Sequence, residues 1–117
     1  MNKENQLIFV KHILENIKNV EDFSRNLTKK ELERNKQKQY AIVRAIEVVG
    51  EAAKNLSTSF KEKHSEISWK EIIGTRDRII HHYFGVDLDI IWEIVKKDLP
   101  DLKKKIQEIL DKEEQIR

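Results

Sequence analysis

Residues 37–56, QKQYAIVRAIEVVGEAAKNL, decide the fold class. Wound at about 100° per residue, Tyr40, Arg44, Glu47, Glu51, Lys54 and Asn55 fall within one arc of roughly 100°, and from Ala41 onward the remaining circumference is apolar or small. A helix with so narrow a polar stripe needs cover on several sides. It predicts the centre of a bundle, a subunit interface, or both. Ala41, Ala45, Gly50, Ala52 and Ala53 also permit a neighbouring helix to approach closely.

Upstream, Leu7, Val10, Ile13, Leu14, Ile17, Val20 and Phe23 recur at steps of three and four, the pattern of one apolar helix face, so a first helix is expected from about Glu4 to Arg25. In the charged stretch TKKELERNKQKQ, Thr28 and Glu31 have capping-box spacing and Leu27 and Leu32 are placed as a hydrophobic staple, which predicts a short second helix.

Downstream, STSFKEKHSEIS reads as a polar connector with a short helix around Phe60 to His64. Ser68 and Glu71 form an S-x-x-E box, flanked by Ile67 and Ile72 as a staple, and start a helix near Trp69 that Gly85 ends through a left-handed cap. Asp87 is placed to cap DLDIIWEIVKKDL, in which Ile90, Ile91, Ile94 and Val95 form the apolar face. Pro100 is expected to kink or end that helix. A last helix carries Leu102, Ile106, Ile109 and Leu110 into the charged tail KEEQIR. The expected architecture is a single all-α domain over residues 1–117, an antiparallel bundle of about five helices.

Composition agrees. Of 117 residues, 38% are hydrophobic and 38% charged, with one proline and three glycines, which suits one core surrounded by solvated helix faces. The absence of cysteine removes disulfides, thiolate metal sites and thiol nucleophiles. The N-terminal residues lack the apolar core of a signal peptide and no window approaches a membrane span, so a cytoplasmic protein without membrane contact is expected. A net charge of +2 is weak long-range attraction for a polyanion, so any nucleic-acid contact must be local.

The chemistry concentrates in RDRIIHHYFG, residues 76–85. Projected as one helix, Ile72, Ile73, Ile79, Ile80, Tyr83 and Phe84 occupy an arc of about 140° with Arg76 near its middle. A guanidinium keeps its proton, so Arg76 must find an anion, reach solvent or sit at a cleft; Glu47 and Glu51 are the candidate ion-pair partners. On this projection Tyr83 returns to within about 20° of Arg76, where a phenol beside a guanidinium can position phosphate. Asp77 precedes His81 by four residues and is placed to orient its imidazole, while Gly74 leaves room for another backbone or a ligand. His82 lies one turn after Arg78, which disfavours its charged form, so His81 is the candidate proton-transfer residue. Arginine, imidazole and phenol together suit phosphodiester chemistry. In RNA the adjacent 2′-hydroxyl supplies the nucleophile, so neither metal nor cofactor is required. No metal site is assigned: His81 and His82 diverge by about 100°, and Arg44 and Lys54 beside Glu47 and Glu51 favour a salt-bridge network.

At these residues the chain resembles the HepT-like branch of the HEPN superfamily, also known as the DUF86 family, whose signature is arginine, four residues, histidine, any residue, tyrosine. Here it reads Arg76, DRII, His81, His82, Tyr83. SWKEIIGTRDRIIHHYFGVD, IWEIVKKDLPDLKKKI and VRAIEVVGEAAKNLS resemble the branch's motif, C-terminal and central segments, so the similarity covers nearly the whole chain. The resemblance implies a homodimer with two motifs facing one cleft, and a metal-independent ribonuclease toxin of a toxin–antitoxin pair acting on an RNA substrate. It further implies a minimal nucleotidyltransferase antitoxin that silences the toxin by adding AMP to Tyr83. Arg76 and His81 would be catalytic. Asp77 stands where the branch often has asparagine, and a carboxylate there weakens phosphate binding even as it orients His81.

Two other readings fit the same residues. One is a non-catalytic HEPN module in which Arg76, His81 and Tyr83 bind a nucleotide or a partner. The other is a structural dimer with Arg76 neutralised by Glu47 or Glu51.

Overall fold

The structure, a computed structural model, describes residues 3–81 and 85–115. The all-α expectation holds: α1 (Lys3–Ser24), α2 (Lys29–Arg34), α3 (Lys36–Lys54), α4 (Thr58–Lys63), α5 (Trp69–Ile73), α6 (Thr75–Ile79), α7 (Leu88–Glu93) and α8 (Leu99–Gln115) account for most of the described residues. The extended structure among them is one antiparallel pairing of two residues each, β1 (Ile80–His81) with β2 (Gly85–Val86).

Helix α1 packs along α3, and α8 closes the same core. Leu7, Val10, Ile13, Leu14, Ile17 and Val20 are buried as their spacing requires, facing a core that includes Ile42, Ile46 and Val49 of α3 and Leu102, Ile106 and Ile109 of α8. Each such side chain contributes about 1.5–3 kcal/mol on burial. Truncating one, as in Ile42→Ala, costs about 2–5 kcal/mol because the cavity adds to the transfer term. Helix α1 stops where Ser24 Oγ turns back to the Val20 carbonyl at 2.7 Å and Asn26 takes φ 58°, a left-handed conformation that asparagine tolerates.

The Thr28 box forms: its Oγ1 accepts from Glu31 N at 3.1 Å and Glu31 Oε1 accepts from Thr28 N at 3.2 Å. Asn35 caps α3 by accepting from Lys38 N, and Ser57 caps α4 by accepting from Phe60 N. The α4 helix therefore spans Thr58–Lys63, slightly earlier than the Phe60–His64 expectation. The predicted Ser68 box does not form. Ser68 has ψ 74° and makes no side-chain cap; its carbonyl accepts from the backbone N–H groups of Glu71 and Ile72 instead.

The close approach expected of the small residues occurs at Gly50. A Cβ there would lie 3.3 Å from the Ile72 carbonyl oxygen, so glycine lets α3 sit against the backbone of α5. Gly74 plays no such part: a Cβ there would meet carbonyls of its own preceding turn, Lys70 O at 3.3 Å and Glu71 O at 3.9 Å. What Gly74 marks is the break between α5 and α6.

The larger correction concerns the motif. It does not lie on one helix running to Gly85. The helix stops at Ile79, Ile80 is extended at φ −93° and ψ 116°, and Ile80 and His81 pair with Val86 and Gly85. The freed Ile79 carbonyl accepts from Asp87 N at 2.7 Å, a contact that closes the returning segment onto the helix end. Gly85 does have a positive φ, 85°, but at the start of β2 and not as a helix cap. Asp87 caps α7 as expected, accepting from Ile90 N at 3.1 Å.

Pro100 does not end its helix. Residues Ile94–Asp98 form a π-helical turn that leads directly into α8, with Pro100 in its first turn. A proline ring collides with the carbonyl four residues back, and a widened turn there relieves the collision.

Candidate functional site

Arg76 is the second residue of α6, carried to the edge of α3 by the packing that Gly50 permits. Its Nε lies 3.3 Å from Glu47 Oε2 and donates to it, as the ion-pair expectation had it. The Arg76 side chain is 58% exposed and that of Glu47 23%. The guanidinium thus satisfies two of the conditions set by its sequence position, an anion and solvent. Such a half-solvated pair contributes at most about 1 kcal/mol.

Glu51 does not reach Arg76. It pairs with Arg44, whose Nη1 lies 3.5 Å from Glu51 Oε1 and 4.0 Å from Glu47 Oε2. The salt-bridge network expected around these carboxylates therefore exists, but Lys54 has no ion pair in it among the described residues. Two guanidiniums converge on one carboxylate oxygen of Glu47, at 3.3 and 4.0 Å.

The remaining motif residues divide. Asp77 is exposed in the first turn of α6. His81 stands two residues beyond the last residue of α6, with its backbone in β1, so the i,i+4 helical relation to Asp77 does not apply, nor does a shared angular position with Gly74. His82, Tyr83 and Phe84 lie outside the described residues, and so does the strip that Tyr83 was expected to share with Arg76. Arg78 reaches away from Glu47, with Nη1 3.9 Å from Asp98 Oδ2 on the π-helical turn.

Two features escaped the sequence reading. One is a cavity of about 140 Å³ bordered by Ile46, Val49, Ile72, Thr75, Arg78 and Asp98; Arg76 is not on its wall, so it is separate from the Arg76–Glu47 face. The other is a buried polar cluster in which Glu113 Oε1 takes Lys63 Nζ at 2.8 Å and lies 3.5 Å from His64 Nε2. Neither carries a local sequence signal, because both are made by segments distant along the chain.

The fold and this site define an all-α domain that holds a solvent-accessible arginine on a short helix leading straight to a histidine. Ribonuclease HepT-like is the family whose model matches, over residues 13–109, and the chain belongs to that family.

Curated relatives agree. A "Gamma-glutamylcyclotransferase and putative RNase" of Methanocaldococcus jannaschii is 45% identical over 104 residues, 89% of this chain and 47% of the relative. A "Putative RNase" of Caldanaerobacter subterraneus is 56% identical over 73 residues, 62% of this chain and 65% of the relative. A "Probable ribonuclease HepT" of Thermococcus cleftensis is 41% identical over 101 residues, 86% of this chain and 92% of the relative. The chain thus spans about half and about two thirds of the first two relatives, and nearly all of the third. No solved structure matches significantly. Among the described residues, no helix is long and apolar enough to cross a membrane.

Proposed function

We propose that this domain is a metal-independent RNA endonuclease that works as a homodimer, with Arg76 and His81 as its catalytic residues. The observation that carries the reading is the state of Arg76: Glu47 holds it through Nε, and its side chain remains 58% exposed. A guanidinium anchored at one nitrogen keeps its terminal nitrogens for a phosphate. Membership of the HepT-like family and the ribonuclease names of the relatives support the same reading.

The chemistry balances without a cofactor. The ribose 2′-oxygen forms a bond to phosphorus, the bond from phosphorus to the 5′-oxygen breaks, and a 2′,3′-cyclic phosphate and a 5′-hydroxyl result. One proton leaves the 2′-hydroxyl and one reaches the departing 5′-oxygen; His81 serves one transfer, and its counterpart in a second copy serves the other. Arg76 stabilises the charge that grows on the phosphoryl oxygens.

On this reading the domain is the toxin of a toxin–antitoxin pair. A minimal nucleotidyltransferase partner would silence it by adenylylating Tyr83: an adenylate adds negative charge and bulk beside the motif and competes with substrate phosphate for Arg76. What favours the alternative, a non-catalytic nucleotide- or partner-binding module, is the exposed carboxylate of Asp77 next to Arg76 and a net charge of only +2.

The test is incubation of the unmodified protein with total tRNA and mRNA in EDTA, beside His81→Ala. Cleavage in EDTA that is lost in the variant is expected. No cleavage by protein whose Tyr83 is shown by mass spectrometry to be unmodified would move the assignment to the binding module.

A further inference from the structure

Tyr40 is one of two large hydrophobic side chains that stand exposed among the described residues, at 68%. It lies on the polar stripe of α3. At 100° per residue Lys36, Tyr40, Arg44, Glu47 and Glu51 stay within about 40° of one line, a track of roughly 20 Å along the helix. Lys36, Tyr40, Arg44 and Glu51 are all exposed, and α6 delivers Arg76 to the track at Glu47. The track therefore presents an aromatic ring with a cation one turn to either side, and the candidate catalytic arginine beyond them.

We propose that this strip is a binding subsite for single-stranded RNA, in which Tyr40 stacks a base and Arg44 contacts a backbone phosphate neighbouring the one held by Arg76. The inference rests on the ribonuclease reading and extends it from the scissile phosphate to the flanking nucleotides. An exposed aromatic interleaved with cations along a line is the arrangement that tracks a single strand: every base has a face that stacks, and the cations follow the backbone.

The carboxylates do not oppose this. Glu51 holds Arg44 at 3.5 Å with both side chains more than half exposed, a contact weak enough to be exchanged for a phosphate. Glu47 is the more enclosed of the two and sits between the guanidiniums, 3.3 Å from Arg76 and 4.0 Å from Arg44. It keeps two like charges near each other while both side chains stay more than half exposed, Arg44 at 65% and Arg76 at 58%. Three cations on the track, Lys36, Arg44 and Arg76, face two carboxylates, Glu47 and Glu51.

The test uses fluorescence anisotropy with a fluorescein-labelled oligouridylate, in a His81→Ala background so that the probe survives. Tyr40→Ala and Tyr40→Leu are expected to weaken binding about tenfold while Tyr40→Phe binds as the parent does, since stacking needs a ring and not a hydroxyl. Arg44→Ala is expected to reduce the slope of log affinity against log salt by about 0.7, one phosphate contact on a single strand. Tyr40 and Arg44 are solvent-exposed, so these variants should keep the parent's circular dichroism and fold.

Unchanged affinity and salt slope in the Tyr40→Ala and Arg44→Ala proteins would overturn the inference. So would parental RNA affinity in a Tyr40→Ala protein whose mass by light scattering has fallen, which would give the strip to a second copy of the chain. A parent that does not bind the probe would overturn it as well. Cleavage by the His81-containing protein is scored separately: cleavage with an indifferent strip defeats this inference alone, and strip-dependent binding without cleavage defeats the ribonuclease reading.

Discussion

Two carboxylates in this molecule gather basic side chains and differ in how far they are themselves buried. Glu113 is buried, its side chain 2% exposed, with Nζ of Lys63, a side chain 60% exposed, at 2.8 Å and His64, itself 6% exposed, at 3.5 Å. Glu47 is half-buried, its side chain 23% exposed, with Arg76 and Arg44 around one oxygen. The difference teaches which cluster can do work on a ligand. Removing a cation from a carboxylate this buried is costly, and the Glu113 cluster joins α8 to the end of α4. The Glu47 pair leaves a 58% exposed guanidinium that can engage a second anion while Nε stays on Glu47, in a contact that water and salt already screen.

The largest expected separation between the two clusters is in stability. Lys63→Met removes a cation from a buried carboxylate and is expected to lower the free energy of unfolding by about 2 kcal/mol, read by urea denaturation, with RNA cleavage per folded molecule unchanged. Equal stability would mean that the two clusters do not differ in kind.

Glu47→Gln should act in the opposite sense. Loss of the anchoring charge is expected to lower kcat about tenfold through misplacement of Arg76 without raising KM, since a carboxylate beside the substrate phosphate has also been removed. Steady-state kinetics on a labelled RNA separates the two constants. A raised KM with kcat intact would make Glu47 a binding residue and not a positioning one.

The smallest effect belongs to a third pair, Lys29 with Asp89, which ties α2 to α7 at the surface. The hydrogen bond to Asp89 raises the Lys29 pKa above its ordinary value of 10.5. A cation whose folded pKa is raised contributes its stability in full below the unfolded value and loses it as pH rises through the folded one. The small difference in Tm between wild type and Lys29→Ala should therefore be constant through neutral pH and shrink above 10.5. A difference that persisted at higher pH would show that charge is not its source.

The legibility of these regions from sequence follows the same divide between local and distant causes. Helices α1 and α3 were readable because their apolar spacing repeats over many turns, and the narrow polar arc of α3 left few anions for Arg76 to choose from. The motif helix was misread at its end. Ile79 and Ile80 fit a helical stripe and a strand equally well as β-branched residues, and the hydrogen bond from Asp87 N to the Ile79 carbonyl forms only when the chain returns. That error also undid the angular argument relating Asp77, Gly74 and His81. Glu113 was invisible for a further reason: it belongs to the charged tail KEEQIR, and its burial depends on Lys63 and His64, about fifty residues earlier.

Arg76, on the ribonuclease reading, serves a substrate and not the fold. The most direct test is Arg76→Ala, with Tm and RNA cleavage in EDTA measured on the same preparation. The expected result is a Tm within a few degrees of wild type, since an exposed pair contributes at most about 1 kcal/mol, together with cleavage reduced about a hundredfold or more, on the order expected for removal of a transition-state charge contact. A markedly lower Tm with cleavage by the folded fraction unchanged would contradict it and return Arg76 to a structural role.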